Sequence, residues 1–278
     1  MEYSKESVKV IVEFIEKETG ILFHENSYYQ LKNRLDNILG LEQIDIDTLV
    51  RKIQNNMMSS SLRQRVVDGA TNNETLFFRD PVFFKAIENM ILDFASKNPS
   101  KEIKIWSAAS STGQEAVSLM ISICELAQKH SLPKISIMAT DISTQALEKA
   151  KNGIYTDFEV SRGLSDERKA KYFTKQGNGW KVKDEILSKI KYFENNLVKP
   201  SLFDKFDLIM CRNVLIYQTV ALKQTVVNYL VDNLNENGFL VLGVGETLLG
   251  IKNNLESQNM EKVVFYKKPS LNNIKKAA

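Results

Sequence analysis

Hydrophobic positions follow two different rhythms along the chain. Over the first seventy residues they recur at helical spacing: Val8, Ile11, Val12 and Ile15, then Tyr28, Leu31, Leu35 and Ile38. That i, i+3, i+4, i+7 recurrence is the mark of an amphipathic helix with one buried stripe. A third helix is predicted after Asp47 as N-cap, with Leu49, Val50 and Ile53 on one side, and a fourth near Leu62 to Val67. No strand pattern occurs here, so residues 1–72 are expected to form a small all-α domain. From about residue 100 the rhythm changes to short β-branched runs. Ile103–Ser107, Ile135–Ala139, Ile190–Phe193, Phe206–Met210, Phe239–Gly243 and Val263–Lys267 are predicted strands. Helical patterns at Gln114–Gln128, Thr144–Lys151 and Val220–Leu234 separate most of them. Such alternation implies an α/β domain, a mostly parallel sheet with helices on both faces. Right-handed crossovers then put the ligand crevice at the carboxyl ends of the strands.

Composition narrows the class of protein. At 278 residues, with 43% hydrophobic and 26% charged, the chain can bury a substantial core. Its two cysteines, Cys124 and Cys211, cannot build a disulfide framework, which points to a reducing compartment. The start lacks an apolar segment behind a basic flank, and the longest apolar run, Phe239 to Val244, is far short of a membrane span. A cytoplasmic protein without membrane insertion is therefore expected. The net charge of +3 is too mild to suggest nucleic acid. Residues 1–75 carry nine Lys/Arg against twelve Asp/Glu, leaving the remainder at +6. The lysine pairs Lys267–Lys268 and Lys275–Lys276 read as a solvated tail.

The strand ends carry the chemistry. The first strand runs into WSAASSTGQEAVSLM, Trp106 to Met120. A dinucleotide fingerprint needs three spaced glycines in such a loop, and only Gly113 is present. Small residues still let the backbone approach a ligand, and Glu115 would repel a phosphate while suiting a cation or a hydroxyl. Glu115 could equally just complement the helix dipole. At the end of the second strand, Asp141 stands where a carboxylate accepts hydrogen bonds from ribose hydroxyls, although it would also serve as a helix N-cap. The strand FDLIMC ends in Cys211, Arg212, Asn213 and, further on, Tyr217. Cys211 reads as a buried small hydrophobe, since a reactive thiol needs a basic or cationic neighbour. His24 and His130 are the only histidines and neither lies at a strand end, so no metal site is expected. Between the two regions lies TNNETLFFRDPVFF, Thr71 to Phe84. Its phenylalanines suit domain packing, but that does not account for Asn73, Thr75 and Arg79 beside them.

Four ordered blocks give the chain a resemblance to a family: TNNETLFFRD, WSAASSTGQEAVSL, ATDIS with ALEKAKNGIY, and NNL followed by FDLIMCRNVLIY. NGFLVLGVGETL is a fifth, weaker block. Together, over roughly residues 5–270, they resemble the CheR-type chemotaxis receptor glutamate methyltransferases. The resemblance implies a class I methyltransferase (Rossmann-like) domain over residues 91–278, joined to the helical domain by a connector, residues 73–90, that contributes to the active site. It implies S-adenosylmethionine as methyl donor and S-adenosylhomocysteine as product, with no metal. Asn73, Thr75, Arg79, Glu115, Asp141, Asn196, Leu197, Arg212 and Asn213 would line the cofactor pocket, and Arg79 and Tyr217 would flank the methyl-transfer position. Departures from the family pattern are Gln114 before Glu115, Ala116-Val117-Ser118, and Gln218-Thr219 after Tyr217. Some members carry a small β-subdomain that grips a receptor tether. The matching region, about 154–184, has a short QGNGW loop, which implies a member that does not need the tether.

The implied partner is the cytoplasmic helical region of chemotaxis receptors, taken by a monomer. Lys32, Arg34, Arg51, Lys52, Arg63 and Arg65 would offer it positive charge, unless they are merely solvated faces. A glutamate acceptor, with an unperturbed pKa near 4.3, is about 99.8% carboxylate at pH 7 and needs no general base. Such chemistry agrees with a chain poor in histidine. Arg79 would hold either the acceptor carboxylate or the methionyl carboxylate, and the sequence leaves both open. The rival readings are a non-catalytic S-adenosylmethionine-binding signalling module, and a methyltransferase acting on a small molecule or RNA.

Overall fold

A computed structural model describes residues 3–23, 28–201 and 204–270. The N-terminal helices are α1 (Lys5–Thr19), α2 (Tyr28–Glu42), α3 (Ile46–Gln54) and α4 (Ser60–Ala70). Each buries the stripe its spacing dictates: Ile11, Ile15, Leu31, Leu35, Leu49, Leu62 and Val66 form one cluster. Ser4 and Ser59 cap α1 and α4 through their hydroxyls. The cap of α3 is Asp45, which accepts from Thr48 N at 2.7 Å, and not Asp47. Asp47 lies in the first turn instead, where its charge complements the helix dipole. Gly20 ends α1 in the left-handed region at φ 73°, where it lies against Val198 and Leu222.

Helix α5 (Pro81–Lys97) follows the connector and sets Phe83, Phe84, Ile87, Met90 and Ile91 into the core. The α/β region then runs β1 (Ile103–Ala108), α6 (Gln114–Ala127), β2 (Ile135–Asp141) and α7 (Thr144–Asn152). A small three-stranded antiparallel sheet comes next, order β3-β5-β4, built from β3 (Ile154–Thr156), β4 (Phe173–Gln176) and β5 (Gly179–Val182). The short helices α8 (Asp157–Ser161), α9 (Asp166–Tyr172) and α10 (Asp184–Leu187) accompany it. The chain returns through β6 (Ile190–Glu194), β7 (Phe206–Cys211), α11 (Val220–Asp232), β8 (Leu234–Leu242), β9 (Glu256–Met260) and β10 (Val263–Lys267).

The seven-stranded sheet has the order β6-β2-β1-β7-β8-β10-β9. Its first five strands are parallel, and β10 is antiparallel to both neighbours. The mostly parallel sheet is the one the strand–helix alternation predicted, and it has the class I methyltransferase arrangement that the resemblance implied. Strand alternation feeds two cores. Ile105, Ile137, Leu208 and Met210 join α5 and α6 on one face, while Trp106, Ile209 and Leu240 join α11 on the other. Strand β9 escapes the hydrophobic reading because ESQNM is polar and holds its edge position by pairing with β10. Lys268 is no solvated tail residue: its ammonium donates to Val231 O at 2.7 Å and Leu234 O at 2.9 Å, securing the end of α11. His24 and the pair Lys275–Lys276 lie outside the described residues.

Candidate functional site

The order reverses beside β1: one crossover runs to β2 and the next strand placed on the other side is β7. A crevice at the carboxyl ends is expected at such a point, and a cavity of about 400 Å³ lies there. The connector, the loops after β1, β2, β6 and β7, and the segment after α1 all line it.

The loop after β1 is bent sharply. Ala109, Ser111 and Gly113 all adopt left-handed backbone, at φ 59°, 52° and 92°. A Cβ on Gly113 would come within 2.8 Å of Ala150 Cβ, so this single glycine serves close packing of the loop on α7. Tyr155, buried in β3, donates its hydroxyl to Thr112 O at 2.8 Å and holds the loop from below.

Asp141 is 5% exposed, yet its carboxylate is held by backbone N–H groups: Ser143 N at 2.9 Å and Ser111 N at 2.7 Å. It does not cap α7. Ser143 does, accepting from Ala146 N at 3.1 Å. Burial pushes the Asp141 carboxyl pKa up from the ordinary range, against the pull of its backbone donors and with a small push from Asp68. Glu115 is not a free carboxylate waiting for a cation. It accepts from Ser107 Oγ at 2.8 Å and from Arg212 Nη1 at 2.9 Å. The Arg212 side chain is 3% exposed, also pairs with Asp80, and stacks on the Phe83 ring at 3.9 Å. Its charge is thus bound up in two carboxylates.

Arg79 behaves differently. Arg79 lines the cavity, and its guanidinium has no hydrogen-bond or ion-pair partner among the described residues. Its backbone is pinned on both sides. Phe78 and Asp80 sit at φ 45° and 63°, a conformation that costs on the order of 1–3 kcal/mol per residue and persists only under external constraint. The constraints are visible: Phe78 N donates to Ser118 Oγ at 2.9 Å, and Arg79 O accepts from Arg212 Nη2 at 3.2 Å. Asp80 opens α5 but gives its carboxylate to Arg212 rather than to a capping bond.

Asn73, Thr75, Leu197, Asn213 and Tyr217 also line the cavity. Asn73 donates to Thr71 Oγ1 at 3.1 Å, and its carbonyl accepts from Ser111 Oγ at 2.9 Å. Asn213 takes φ 60°, and Tyr217, 40% exposed, ends a 3-10 turn over Leu215–Tyr217. Asn196 reaches the cavity too, but its side chain is engaged elsewhere, donating to Glu18 O at 2.7 Å and accepting from Val198 N at 2.9 Å. Buried polar atoms without a partner, Ser110 Oγ, Asn195 Nδ2, Arg212 Nε and Gln218 Oε1, belong to cavity-lining residues, which suits a polar ligand.

Sequence reasoning missed the wall contributed by the end of α1 and the segment that follows it. Thr19, Ile21, Leu22 and Phe23 line the cavity, and Leu22 N donates to Tyr217 O at 3.1 Å. The one local sign is Gly20 ending α1. Two of the basic residues expected to face a partner are engaged within the N-terminal helices: Arg34 donates to Gly69 O and Thr71 O, and Arg63, still partly exposed, pairs with Glu18 at 2.9 Å. Neither His130, exposed after α6, nor Cys211, whose thiol pKa is raised by burial, lines the cavity. No group of three or more metal-ligating side chains occurs among the described residues, and none of their helices is long and apolar enough to cross a membrane.

Comparison with known proteins agrees with this geometry. Residues 73–264 match the family described as CheR methyltransferase, SAM binding domain. The chain is similar to Chemotaxis protein methyltransferase 1 of Vibrio cholerae, 38% identical over 91% of this chain and 94% of that protein. It is similar to Chemotaxis protein methyltransferase of Vibrio parahaemolyticus, 37% identical over the same shares. Chemotaxis protein methyltransferase of Borreliella burgdorferi is 29% identical over 90% of this chain and 91% of that protein. A class I sheet, a polar crevice at its reversal point and these relatives place the chain in the CheR methyltransferase family.

Proposed function

We propose that the protein transfers a methyl group from S-adenosylmethionine to glutamate side-chain carboxylates in the cytoplasmic helical region of chemotaxis receptors, giving glutamyl methyl esters. The observation that carries this reading is Arg79, a cavity-lining residue with an unpartnered guanidinium and a pinned backbone, in a cavity that no histidine lines among the described residues. An amine or alcohol acceptor calls for a base to remove its proton. A carboxylate does not, because it is ionised at neutral pH. The bound cofactor supplies a methyl group activated by the positive sulfonium. The residues then have only to orient two reactants for in-line transfer, a service that lowers a barrier by several kcal/mol.

In this reading Asp141 accepts hydrogen bonds from the ribose hydroxyls, its two oxygens being aimed by Ser111 and Ser143. Leu197, 7% exposed, supplies apolar wall for the base. The Glu115–Arg212–Asp80 chain fixes the connector, and Asn73 and Thr75 present polar groups from it. Arg79 clamps a carboxylate, for which its planar fork is suited. Tyr217 directs its hydroxyl to one acceptor oxygen and leaves the other to attack. Asn196 contributes backbone rather than side chain, since its amide is engaged with α1. The partition into a helical domain over 1–72, a connector over 73–90 and a catalytic domain over 91–278 belongs to the same proposal, as do a monomeric state and a cytoplasmic location. The two-residue turn Gly177–Asn178 between β4 and β5 supports a receptor interaction without a tether.

The test is incubation with methyl-labelled S-adenosylmethionine and receptor cytoplasmic fragments. Label should enter the receptor and leave as methanol in mild alkali, because a glutamyl ester hydrolyses while an N-methyl amine does not. Alkali-stable label would exclude a carboxylate acceptor.

A further inference from the structure

The NGFLVLGVGETL block has no part in the mechanism above. Its single acid, Glu246, follows β8 and does not line the cavity. Its carboxylate nevertheless accepts four backbone N–H groups. Oε2 takes Asn213 N at 2.7 Å and Gly243 N at 2.8 Å; Oε1 takes Val214 N at 2.9 Å and Ile216 N at 3.2 Å. Three of these donors belong to the loop after β7 that ends in the turn bearing Tyr217. The opening N–H groups of a helical turn have no partner inside it and need a cap. Val214, at the cap position, has no side chain able to provide one. Glu246 provides it from a neighbouring strand end.

The arrangement leaves no slack. A Cβ on Gly243 would lie 2.7 Å from Glu246 Oε2 and 2.8 Å from Asn213 N, so only glycine fits beside the carboxylate. Asn213 holds φ 60° between its own N–H and that of Val214, both of which converge on the carboxylate. On the far side of the turn, Leu22 N holds Tyr217 O at 3.1 Å. The turn is thus gripped from the helical domain and from the β8 loop together.

From this geometry we infer that Glu246 is a positioning residue for methyl transfer, fixing the turn that presents the Tyr217 hydroxyl to the acceptor carboxylate. The inference rests on the role of Tyr217 given above. Glu246→Gln keeps the shape, but one of its two acceptors becomes an amide NH2 facing two backbone donors. Gly243→Ala displaces the carboxylate without removing it. Methyl transfer to a receptor fragment is measured for wild type, both variants, Tyr217→Phe and the double variant Glu246→Gln/Tyr217→Phe, with the Kd for S-adenosylhomocysteine by calorimetry.

Glu246→Gln and Gly243→Ala should each lower kcat by about tenfold or more and leave the Kd within about threefold. In the Tyr217→Phe background the further loss from Glu246→Gln should shrink to less than about twofold, because two residues acting through one group are not additive. Equal losses in both backgrounds would make Glu246 a general structural brace and overturn the inference. Tyr217→Phe impaired with Glu246→Gln at wild-type turnover would sink the role of Glu246 alone; wild-type turnover in Tyr217→Phe would sink the reading of Tyr217 and this inference with it. Amide hydrogen exchange needs no acceptor. Faster exchange at Asn213, Val214 and Ile216 in Glu246→Gln, with other elements unchanged, is expected, and unchanged exchange there would also refute the brace.

Discussion

Asp141→Asn separates cofactor binding from folding more sharply than any other single change. In the folded protein, burial raises the carboxyl pKa above its unfolded value. The sign follows directly. A raised carboxyl pKa means that the folded state holds the proton more tightly, so this contribution to stability is full below the unfolded pKa, near 3.9, and is lost as pH rises through the folded pKa. At neutral pH the buried charge is therefore a net cost to folding. Asparagine removes that charge but turns its NH2 towards either Ser111 N or Ser143 N, both now donating to Asp141. The two effects oppose each other, and the apo protein should melt within a few degrees of wild type, on a scale of about 2–4 °C per kcal/mol for a chain near this size. Binding has no such compensation. A hydrogen bond to a charged acceptor contributes about 1.5–3 kcal/mol, against about 1 kcal/mol for a neutral one. Losing the charge opposite two ribose hydroxyls therefore costs about 1–4 kcal/mol, a weakening of roughly five- to several-hundred-fold. Calorimetric titration with S-adenosylmethionine and S-adenosylhomocysteine, beside melting curves with and without ligand, measures both quantities. In wild type the affinity should fall as pH drops towards the raised Asp141 pKa, at a higher pH than a solvated aspartate would give. An unchanged Kd with a melting point lowered by more than about 10 °C would show that Asp141 only organises the loop.

Arg79→Lys keeps the charge but loses the planar fork, so turnover should fall at least tenfold with the fold intact. A parallel loss of cofactor affinity would assign Arg79 to the methionyl carboxylate, intact affinity to the acceptor, and near-normal turnover would refute the clamp; kcat and Kd on the same preparation decide. Gly113→Ala places a methyl against Ala150 and Tyr155 at φ 92°, and should destabilise the protein by about 1–3 kcal/mol in denaturant melts while weakening the cofactor. NAD should show no calorimetric binding, because the loop after β1 lacks the glycines that admit a pyrophosphate.

The sequence by itself determined the alternation of strand and helix, the helical N-terminal region and the residues standing at the strand ends. These are local properties: periodicity is written residue by residue, and a strand end brings its neighbours with it. Asp141, Glu115, Arg212 and Tyr217 could be singled out on that basis, and Thr71 to Phe84 stood out because polar side chains were set among aromatics without a packing reason. Tertiary structure decided what those groups are free to do. Glu115 and Arg212, 97 positions apart, neutralise each other, whereas Arg79 in the same cavity is left without a partner. Asp141 and Ser143 compete for one cap, and only the bonds to Ser111 and Ala146 show that Ser143 takes it. Arg34 and Arg63 read as unpaired outward charges until the N-terminal helices pack and bring the Gly69 and Thr71 carbonyls and Glu18 beside them. The wall formed by Ile21 to Phe23, the edge strand ESQNM and the grip of Glu246 on the Tyr217 turn carry no periodic signal at all. The wall and the Glu246 grip depend on groups brought together from distant parts of the chain and the edge strand on the backbone of β10, and every residue has the same N–H and C=O whatever its side chain. The Glu246 grip exists only once the sheet order has set the β7 and β8 loops side by side.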